Sequence, residues 1–214
     1  MASLAQFLIG LDRSIFHAIN SLAGKSSVLD WLARLGADDH IIPVALSLLV
    51  LLALLLAGNG RQRETAFRCV ICAVVAAAIS MAVLFALNSL FFRPRPFTSQ
   101  AVRLLFYHNT DSALPSNAAT LAFALAFAVV FYKRKLGAVM LVLACYVGLA
   151  RTMAGVHYPL DVITGALLGL SSASLAAAMD PLFRPIARRL TGGEHRLLAA
   201  WEPPARTGPE TEAR

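Results

Sequence analysis

Long apolar runs separated by short polar segments are the main pattern of this 214-residue chain. Five of these runs predict membrane-spanning helices, because a helix needs roughly 20 apolar residues to cross a bilayer. The third and fourth runs are short if cut at their flanking charges, but each gains length by extending a few residues into its flanking loop. The predicted spans are 41–57, 67–91, 118–131, 136–149 and 162–179. The pattern therefore predicts an all-α fold, a polytopic integral membrane helical bundle.

The two ends of the chain show other patterns. Apolar residues recur at helical spacing between Leu4 and Leu22, and polar residues such as Asp12 interrupt them. Amphipathic helices of this kind lie in the headgroup region or pack across the ends of spanning helices. We therefore expect amphipathic interfacial helices over 1–40, a transmembrane domain over 41–180 and a flexible polar tail over 181–214.

The composition supports a membrane protein. Hydrophobic residues make up 58% of the chain and charged residues only 14%, which is unlike an ordinary soluble domain. The net charge of +7 comes mostly from short loops between apolar runs, so we expect no nucleic-acid partner. Cys69, Cys72 and Cys145 all lie inside apolar runs. Cys69 and Cys72 have CxxC spacing without a second ligand pair, so buried structural thiols are expected there, and no metal or cofactor is predicted.

The loops predict the orientation of the chain. Basic clusters within 61–68, 133–135 and 184–189 fall on alternate connections and must therefore share one face. Their basicity assigns that face, and the C-terminus with it, to the cytoplasm. The polar segments 92–117 and 150–161 then lie on the opposite, extracytoplasmic face.

One short polar segment between two apolar runs combines an arginine, a histidine and a carboxylate. It reads ARTMAGVHYPLD, with Arg151, His157 and Asp161 at spacings of six and four. If a helix begins near Pro159, the carboxylate lies close to the imidazole and can orient it. The guanidinium fork suits an oxyanion. A phosphate-processing site and a polar loop at the membrane interface both fit this segment.

The other polar segment on the same face has features of a phosphate site. Arg93 and Arg95 lie in an RPRP sequence, where the prolines stiffen the chain. Ser116 or Asn117 can cap the helix that follows, which would leave backbone N–H groups directed at this face. Lipid-headgroup contact for the arginines and an ordinary cap for the serine are the alternatives. The convergence of all these polar groups on one face favours a phosphate site.

Three motifs together resemble those of a known family. RPRP, PSN and R-x5-H-x3-D occur in that order on the two polar segments of the extracytoplasmic face, at 93–96, 115–117 and 151–161. They resemble the type 2 phosphatidic acid phosphatase family, and the resemblance covers roughly 67–179. Within that family the chain looks most like bacterial undecaprenyl diphosphate phosphatases. The resemblance implies a helical domain in the bacterial inner membrane and metal-independent phosphate hydrolysis through a phosphohistidine.

The resemblance also implies residue roles. His157 would be the nucleophile and Asp161 would orient it, while Arg95 and Arg151 would bind the phosphate. Ser116 and the backbone of Asn117 would complete the cradle. Arg93 and Asn88 are further candidate phosphate ligands.

The chain departs from the family pattern at three positions. Asn88 stands where the family has a lysine, and Ala150 replaces the serine that usually opens the third motif. Ala118 takes the place of the histidine that acts as the general acid. His108, in the same loop, is a candidate surrogate acid, although a loop histidine is more often a bystander.

The missing acid bears on the substrate. General acid catalysis is typically worth about 10²–10⁴-fold and matters most for a poor leaving group such as an alkoxide. A lipid phosphate, with a second pKa of about 6, can leave as an anion without a proton. Ala118 therefore favours a lipid diphosphate substrate over phosphatidic acid.

The leading hypothesis is a membrane phosphatase that hydrolyses a polyprenyl diphosphate, undecaprenyl diphosphate above all, to the monophosphate. Loss of the acid and of the lysine supports a second hypothesis, a catalytically degenerate member that binds or transports a phosphorylated lipid. A third is a lipid phosphotransferase, which passes the phosphoryl group to an acceptor other than water.

Overall fold

The fold is built from α-helices. A computed structural model describes residues 2–106 and 111–200, and within these ranges the regular structure consists of nine helices and no strands. The all-α prediction is confirmed. The helices are α1 (Ala2–Asn20), α2 (Ser27–Ala37), α3 (Ile41–Leu55), α4 (Arg61–Leu90), α5 (Pro96–Ser99), α6 (Asn117–Val130), α7 (Arg134–Met153), α8 (Pro159–Ala178) and α9 (Asp180–Ala200).

Helix α6 lies at the centre of the bundle. It packs against α3, α4, α7 and α8, and most of its residues are buried. Two glycines let α8 approach it closely. A Cβ at Gly165 would lie 2.8 Å from the hydroxyl of Thr120, and one at Gly169 would lie 2.7 Å from the backbone nitrogen of Ala124. Small residues at such positions are typical of helix contacts in membranes.

The number of membrane-length helices is smaller than the sequence predicts. Three helices of the described chain, α4, α7 and α8, are long and apolar enough to cross a membrane. Helices α2 and α3, bent by 62° at their junction, form a fourth span if they cross as a pair. The span predicted at 118–131 corresponds to the 14-residue helix α6. Because its sides face other helices rather than lipid, α6 need not match the bilayer thickness.

Helix α1 presents polar residues to the protein and apolar residues outward. Asp12, Phe16 and Asn20, one turn apart, are buried against the bundle, where α1 contacts α7 and α8. Phe7 and Leu11 on the outer side are 65% and 46% exposed. An outward apolar face is the arrangement expected of a helix in contact with lipid.

The chain remains helical beyond the last membrane-length helix. Helix α9 spans Asp180–Ala200, so the flexible tail predicted from residue 181 is helical as far as the structure describes it. Phe183 and Ala187 on one side of α9 are buried against the bundle, and this packing explains the helix. Residues 201–214 of the predicted tail lie outside the described residues.

Candidate active site

The predicted site residues come together at one end of the bundle. The segment after α4, the start of α6, the end of α7 and the start of α8 meet there. Backbone hydrogen bonds hold them, from Ala113 N to Arg93 O at 2.9 Å and from Ser116 N to Asp161 O at 3.0 Å. The loop before α6 also contains a cis peptide bond between Leu114 and Pro115.

His157 is fully buried in the loop between α7 and α8. Its Nδ1 lies 2.9 Å from the carbonyl oxygen of Ala113, which can only accept, so Nδ1 carries the proton. The lone pair of Nε2 then faces Nη2 of Arg151 at 2.9 Å and Nη1 of Arg95 at 3.3 Å. Burial, followed by the charges of Arg151 and Arg95, lowers the pKa of His157 well below 6.5. The ring is therefore neutral, and its Nε2 is unprotonated.

The two arginines beside Nε2 are themselves held by carboxylates. Nη2 of Arg95 donates to Asp111 at 2.6 Å. Nη1 of Arg151 donates to the carboxylate of Asp39 and to the carbonyl of Ala37, the latter at 2.8 Å. Only 2% of Arg95 and 1% of Arg151 are exposed. Two oriented guanidinium groups around one imidazole nitrogen make a site for an anion that reacts at that nitrogen.

Asp161 lies near His157 but does not hydrogen-bond to its ring. Its Oδ2 is 3.7 Å from Nδ1, which is too long for a hydrogen bond. The same oxygen instead accepts from the backbone N–H of Tyr158 at 2.8 Å. Because α8 begins at Pro159, Asp161 falls in its first turn, and its carboxylate is directed at the free N–H groups there. The expected contact with the ring is thus replaced by a contact with the loop next to it.

Arg93 bridges two buried carboxylates. Its Nη1 lies 2.5 Å from Oδ1 of Asp161, and its Nη2 lies 2.7 Å from Oδ2 of Asp12. Its guanidinium also lies over the ring of Tyr158, 4.5 Å from the centroid. Burial acts to lower the pKa of Arg93, but the two carboxylates outweigh it, so the pKa is raised. The guanidinium of Arg93 is therefore held by carboxylates, and its contact with phosphate stays a prediction.

The remaining predicted residues fall into two groups. Ser116 and Asn117 begin α6 beside the arginines, as expected, although Ser116 forms no side-chain cap. The Ser116 hydroxyl is completely buried and has no hydrogen-bond partner in the described part of the chain. Asn117 donates to Asp111 at 3.1 Å. The buried hydroxyl is thus available to a ligand.

Asn88 and Ala118 are not joined to the reacting groups. Asn88 lies near the end of α4, and its Oδ1 is buried without a partner among residues 2–106 and 111–200. Ala118 is 4% exposed and belongs to the apolar core. His108 lies outside the described residues.

Sequence reasoning missed four polar residues that support the site. Asp39 and Asp111 hold the two arginines, and Asp12 holds Arg93. Asn20 binds the backbone oxygens of Arg103 and Met153, both at 2.9 Å, and so ties α1 to the site loops. The available signal was a polar residue inside an apolar helical pattern, which Asp12 and Asn20 share.

Comparison with known proteins supports the motifs. Residues 69–184 match the PAP2 superfamily. The undecaprenyl-diphosphatase BcrC of Bacillus subtilis is 30% identical over 175 residues, which cover 82% of this chain and 87% of that protein. The bacitracin transport permease protein BcrC of Bacillus licheniformis is 35% identical over 165 residues, 76% of this chain and 77% of that one. The crystal structure of Aquifex aeolicus LpxE matches with a TM-score of 0.62 and 26% identity, covering 78% of this chain and 95% of that one.

These findings confirm the family that the three motifs indicated. The matched region of residues 69–184 contains all three motifs and the helices that carry them. The membrane-length helices and the bacterial relatives identify a bacterial multi-pass membrane protein. By sequence and by fold, this chain belongs to the PAP2 superfamily of phosphatases.

Proposed function

We propose that this phosphatase removes the terminal phosphate of a polyprenyl diphosphate, with undecaprenyl diphosphate as the expected substrate. One observation carries the proposal: the buried, neutral imidazole of His157 presents Nε2 between the guanidinium groups of Arg151 and Arg95. The name of the Bacillus subtilis relative supports the choice of substrate.

The first step is attack of His157 Nε2 on the terminal phosphorus. An N–P bond forms while the bond from phosphorus to the bridging oxygen breaks, and the lipid monophosphate leaves with that electron pair. Arg95 and Arg151 stabilise the charge on the transferring oxygens, and the Ser116 hydroxyl donates to one of them. The Nδ1–H bond to the Ala113 carbonyl stabilises the positive charge that the ring acquires.

Water completes the reaction by attacking the phosphorus of the phosphohistidine. A new O–P bond forms while the N–P bond breaks, and the electron pair of the N–P bond returns to Nε2 of His157. The product leaves as dihydrogen phosphate with both protons of the water, and His157 returns to its neutral form. The first step needs no proton donor for a lipid monophosphate leaving group, which fits the apolar surroundings of Ala118. A lipid monophosphate substrate would have to expel an alkoxide without the acid that other family members supply.

Arg93, Asp161 and Asp12 act as positioning residues in this proposal. The Asp161 carboxylate fixes the backbone of Tyr158, the residue directly after His157. Arg93 neutralises Asp161 and connects it to Asp12 on α1. The N-terminal helix therefore belongs to the machinery that orients the nucleophile.

The loops support a location in the bacterial inner membrane. The basic residues at the N-terminus of α4, between α6 and α7, and on α9 lie at the end of the bundle away from His157. By the positive-inside rule that end, and the C-terminus, face the cytoplasm. The active site then faces the periplasm or exterior.

Phosphate release from purified protein tests this function. We expect release from undecaprenyl diphosphate to exceed release from undecaprenyl monophosphate by about 10²-fold or more in kcat/KM, the value of a missing general acid. His157→Ala should abolish both activities, whereas His17→Gln, a change at an exposed histidine of α1, should retain them. Equal activity of His157→Ala and the unaltered protein would refute the proposal.

A degenerate lipid-binding or transport protein is the second candidate. Ala118 at the place of the acid and the name of the Bacillus licheniformis relative favour it. Tight binding of undecaprenyl diphosphate, with turnover no faster than that of His157→Ala, would select this candidate over the phosphatase.

A further inference from the structure

A basic cavity lies at the end of the bundle opposite His157. It has a volume of about 510 Å³ and lies between the start of α4 and α9. Helix α4 has 30 residues, so its two ends are about 45 Å apart at 1.5 Å per residue. Because the segment after α4 carries Arg93 and Arg95, this cavity is separate from the active site. Its lining residues are Gly60, Arg61, Glu64, Thr65, Arg68, Arg184, Arg188 and Thr191.

The cavity carries an excess of positive charge. Arg68 and Arg184 share the carboxylate of Asp180, at 2.5 Å and 3.0 Å, and Arg188 lies 3.3 Å from Glu64. Four guanidinium groups thus face two carboxylates, which leaves a net charge of +2. Arg61 has no carboxylate partner in the described ranges. The charge favours an anionic ligand.

The start of α4 adds to the attraction for an anion. Gly60 precedes the helix with φ +64°, and no side chain caps the first turn. The free backbone N–H groups and the helix dipole present partial positive charge at this end. This partial positive charge adds to the charge of the arginine side chains and does not depend on them.

Helix α9 indicates that the anion belongs to a lipid. Arg184 and Arg188 lie on the flank of α9 that lines the cavity, one turn apart. Leu182, Ile186 and Leu190 lie on the other flank and are 61%, 50% and 49% exposed. A helix with a basic flank and an exposed apolar flank places its cations at phosphates and its apolar side chains among acyl chains.

We propose that this cavity binds the phosphodiester headgroup of an anionic phospholipid. The lipid lies in the leaflet opposite the active site, with its phosphate among Arg61, Arg184 and Arg188 and its chains along the apolar flank of α9. The proposal does not depend on the substrate or mechanism proposed for the distant His157 site.

Thermal unfolding of the full chain in a neutral detergent tests the proposal. Short-chain phosphatidylglycerol should raise Tm saturably, and short-chain phosphatidylcholine should not. Arg61→Gln and Arg188→Gln should each raise the half-saturating concentration about fivefold, and together about 25-fold. Arg134→Gln, a change at an exposed arginine outside the cavity, is the matched control and should leave it unchanged.

Two results would overturn the proposal. One is a double variant whose Tm without lipid shows that it folds, but whose half-saturating concentration of phosphatidylglycerol equals that of the unaltered protein. The other is stabilisation by inorganic phosphate or glycerophosphoglycerol at the same concentration as the lipid, which would indicate a site for a free anion. Parallel titrations of these probes separate the two sources of phosphate.

Discussion

The contact between Asp12 and Arg93 predicts that the N-terminal helix controls the active site. Asp12 is 3% exposed and accepts from Arg93 at 2.7 Å and from the backbone N–H of Leu160 at 2.9 Å. Asp12→Asn keeps the shape and an acceptor for Leu160 but removes the charge opposite Arg93. A hydrogen bond to a charged group contributes about 1.5–3 kcal/mol, so Asp12→Asn should destabilise the fold by about 2 kcal/mol.

The expected effects of Asp12→Asn are measurable in two assays. A loss of about 2 kcal/mol corresponds to a Tm lower by roughly 4–8 °C for a chain of this size. We also expect kcat for lipid diphosphate to fall by about tenfold with little change in KM. A misplaced His157 that raises the activation free energy by about 1.4 kcal/mol slows the reaction by that factor. Arg13→Gln, a change at the exposed neighbour, is the control and should retain both values.

A double variant gives the sharpest form of this prediction. Arg93→Gln alone leaves the buried carboxylates of Asp12 and Asp161 without their shared cation. Adding Asp12→Asn to Arg93→Gln should then raise Tm, because it removes one of two uncompensated charges. A Tm loss for Asp12→Asn that is equal in both backgrounds would refute the coupling. An unaltered kcat for Asp12→Asn would refute the role of α1 in catalysis.

Three further predictions concern substrate entry, pH and packing. Asp111→Asn should lower KM about threefold, as judged by phosphate release, because the Asp111 carboxylate competes with substrate phosphate for Arg95. The side chain of Asp111 is 42% exposed, and an ion pair with a solvent-exposed partner is worth about 0–1 kcal/mol. Burial lowers the pKa of His157 below 6.5, so below that pH only the unfolded state gains this proton. The contribution of His157 to stability should therefore fall by up to about 1.4 kcal/mol per pH unit as the pH drops below 6.5, and His157→Gln should lack this contribution in thermal unfolding at several pH values. Gly169→Ala should destabilise by about 1–3 kcal/mol because its Cβ would lie 2.7 Å from the backbone of α6. Gly10→Ala, with nothing within 4 Å, should be neutral or stabilising, and equal Tm changes for the two would contradict the packing argument.

The sequence was sufficient to predict what depends on local pattern. Arg151 and His157 lie within one short motif, and apolar runs identify membrane helices without any tertiary information. The structure brings Arg95 to the same imidazole nitrogen, 3.3 Å away, as the motifs required. The family resemblance implied that the motifs form one site, and the structure shows that their side chains lie close together.

Contacts between distant segments could not be predicted in the same way. Asp39 and Arg151 are separated by 112 positions, and Asp12 and Arg93 by 81, so no local periodicity relates them. The third apolar run does not extend into its flanking loops as expected, and the reason is different. Lipid chains and a helical core are equally apolar, so hydropathy does not distinguish a lipid-facing helix from a central one. Whether Asp161 hydrogen-bonds to the ring depends on where α8 begins relative to His157, and the 3.7 Å between Oδ2 and Nδ1 is only slightly longer than a hydrogen bond.

Trapping a phosphohistidine at His157 tests the central claim most directly. Protein mixed with undecaprenyl diphosphate labelled in its terminal phosphate is quenched in alkali within the first turnover, and labelled peptides are identified by mass spectrometry. The proposed mechanism predicts an acid-labile, alkali-stable phosphoryl group on the peptide that contains His157, absent from His157→Ala and present in His17→Gln. Full phosphate release with no label on that peptide, or label retained in His157→Ala, would contradict it.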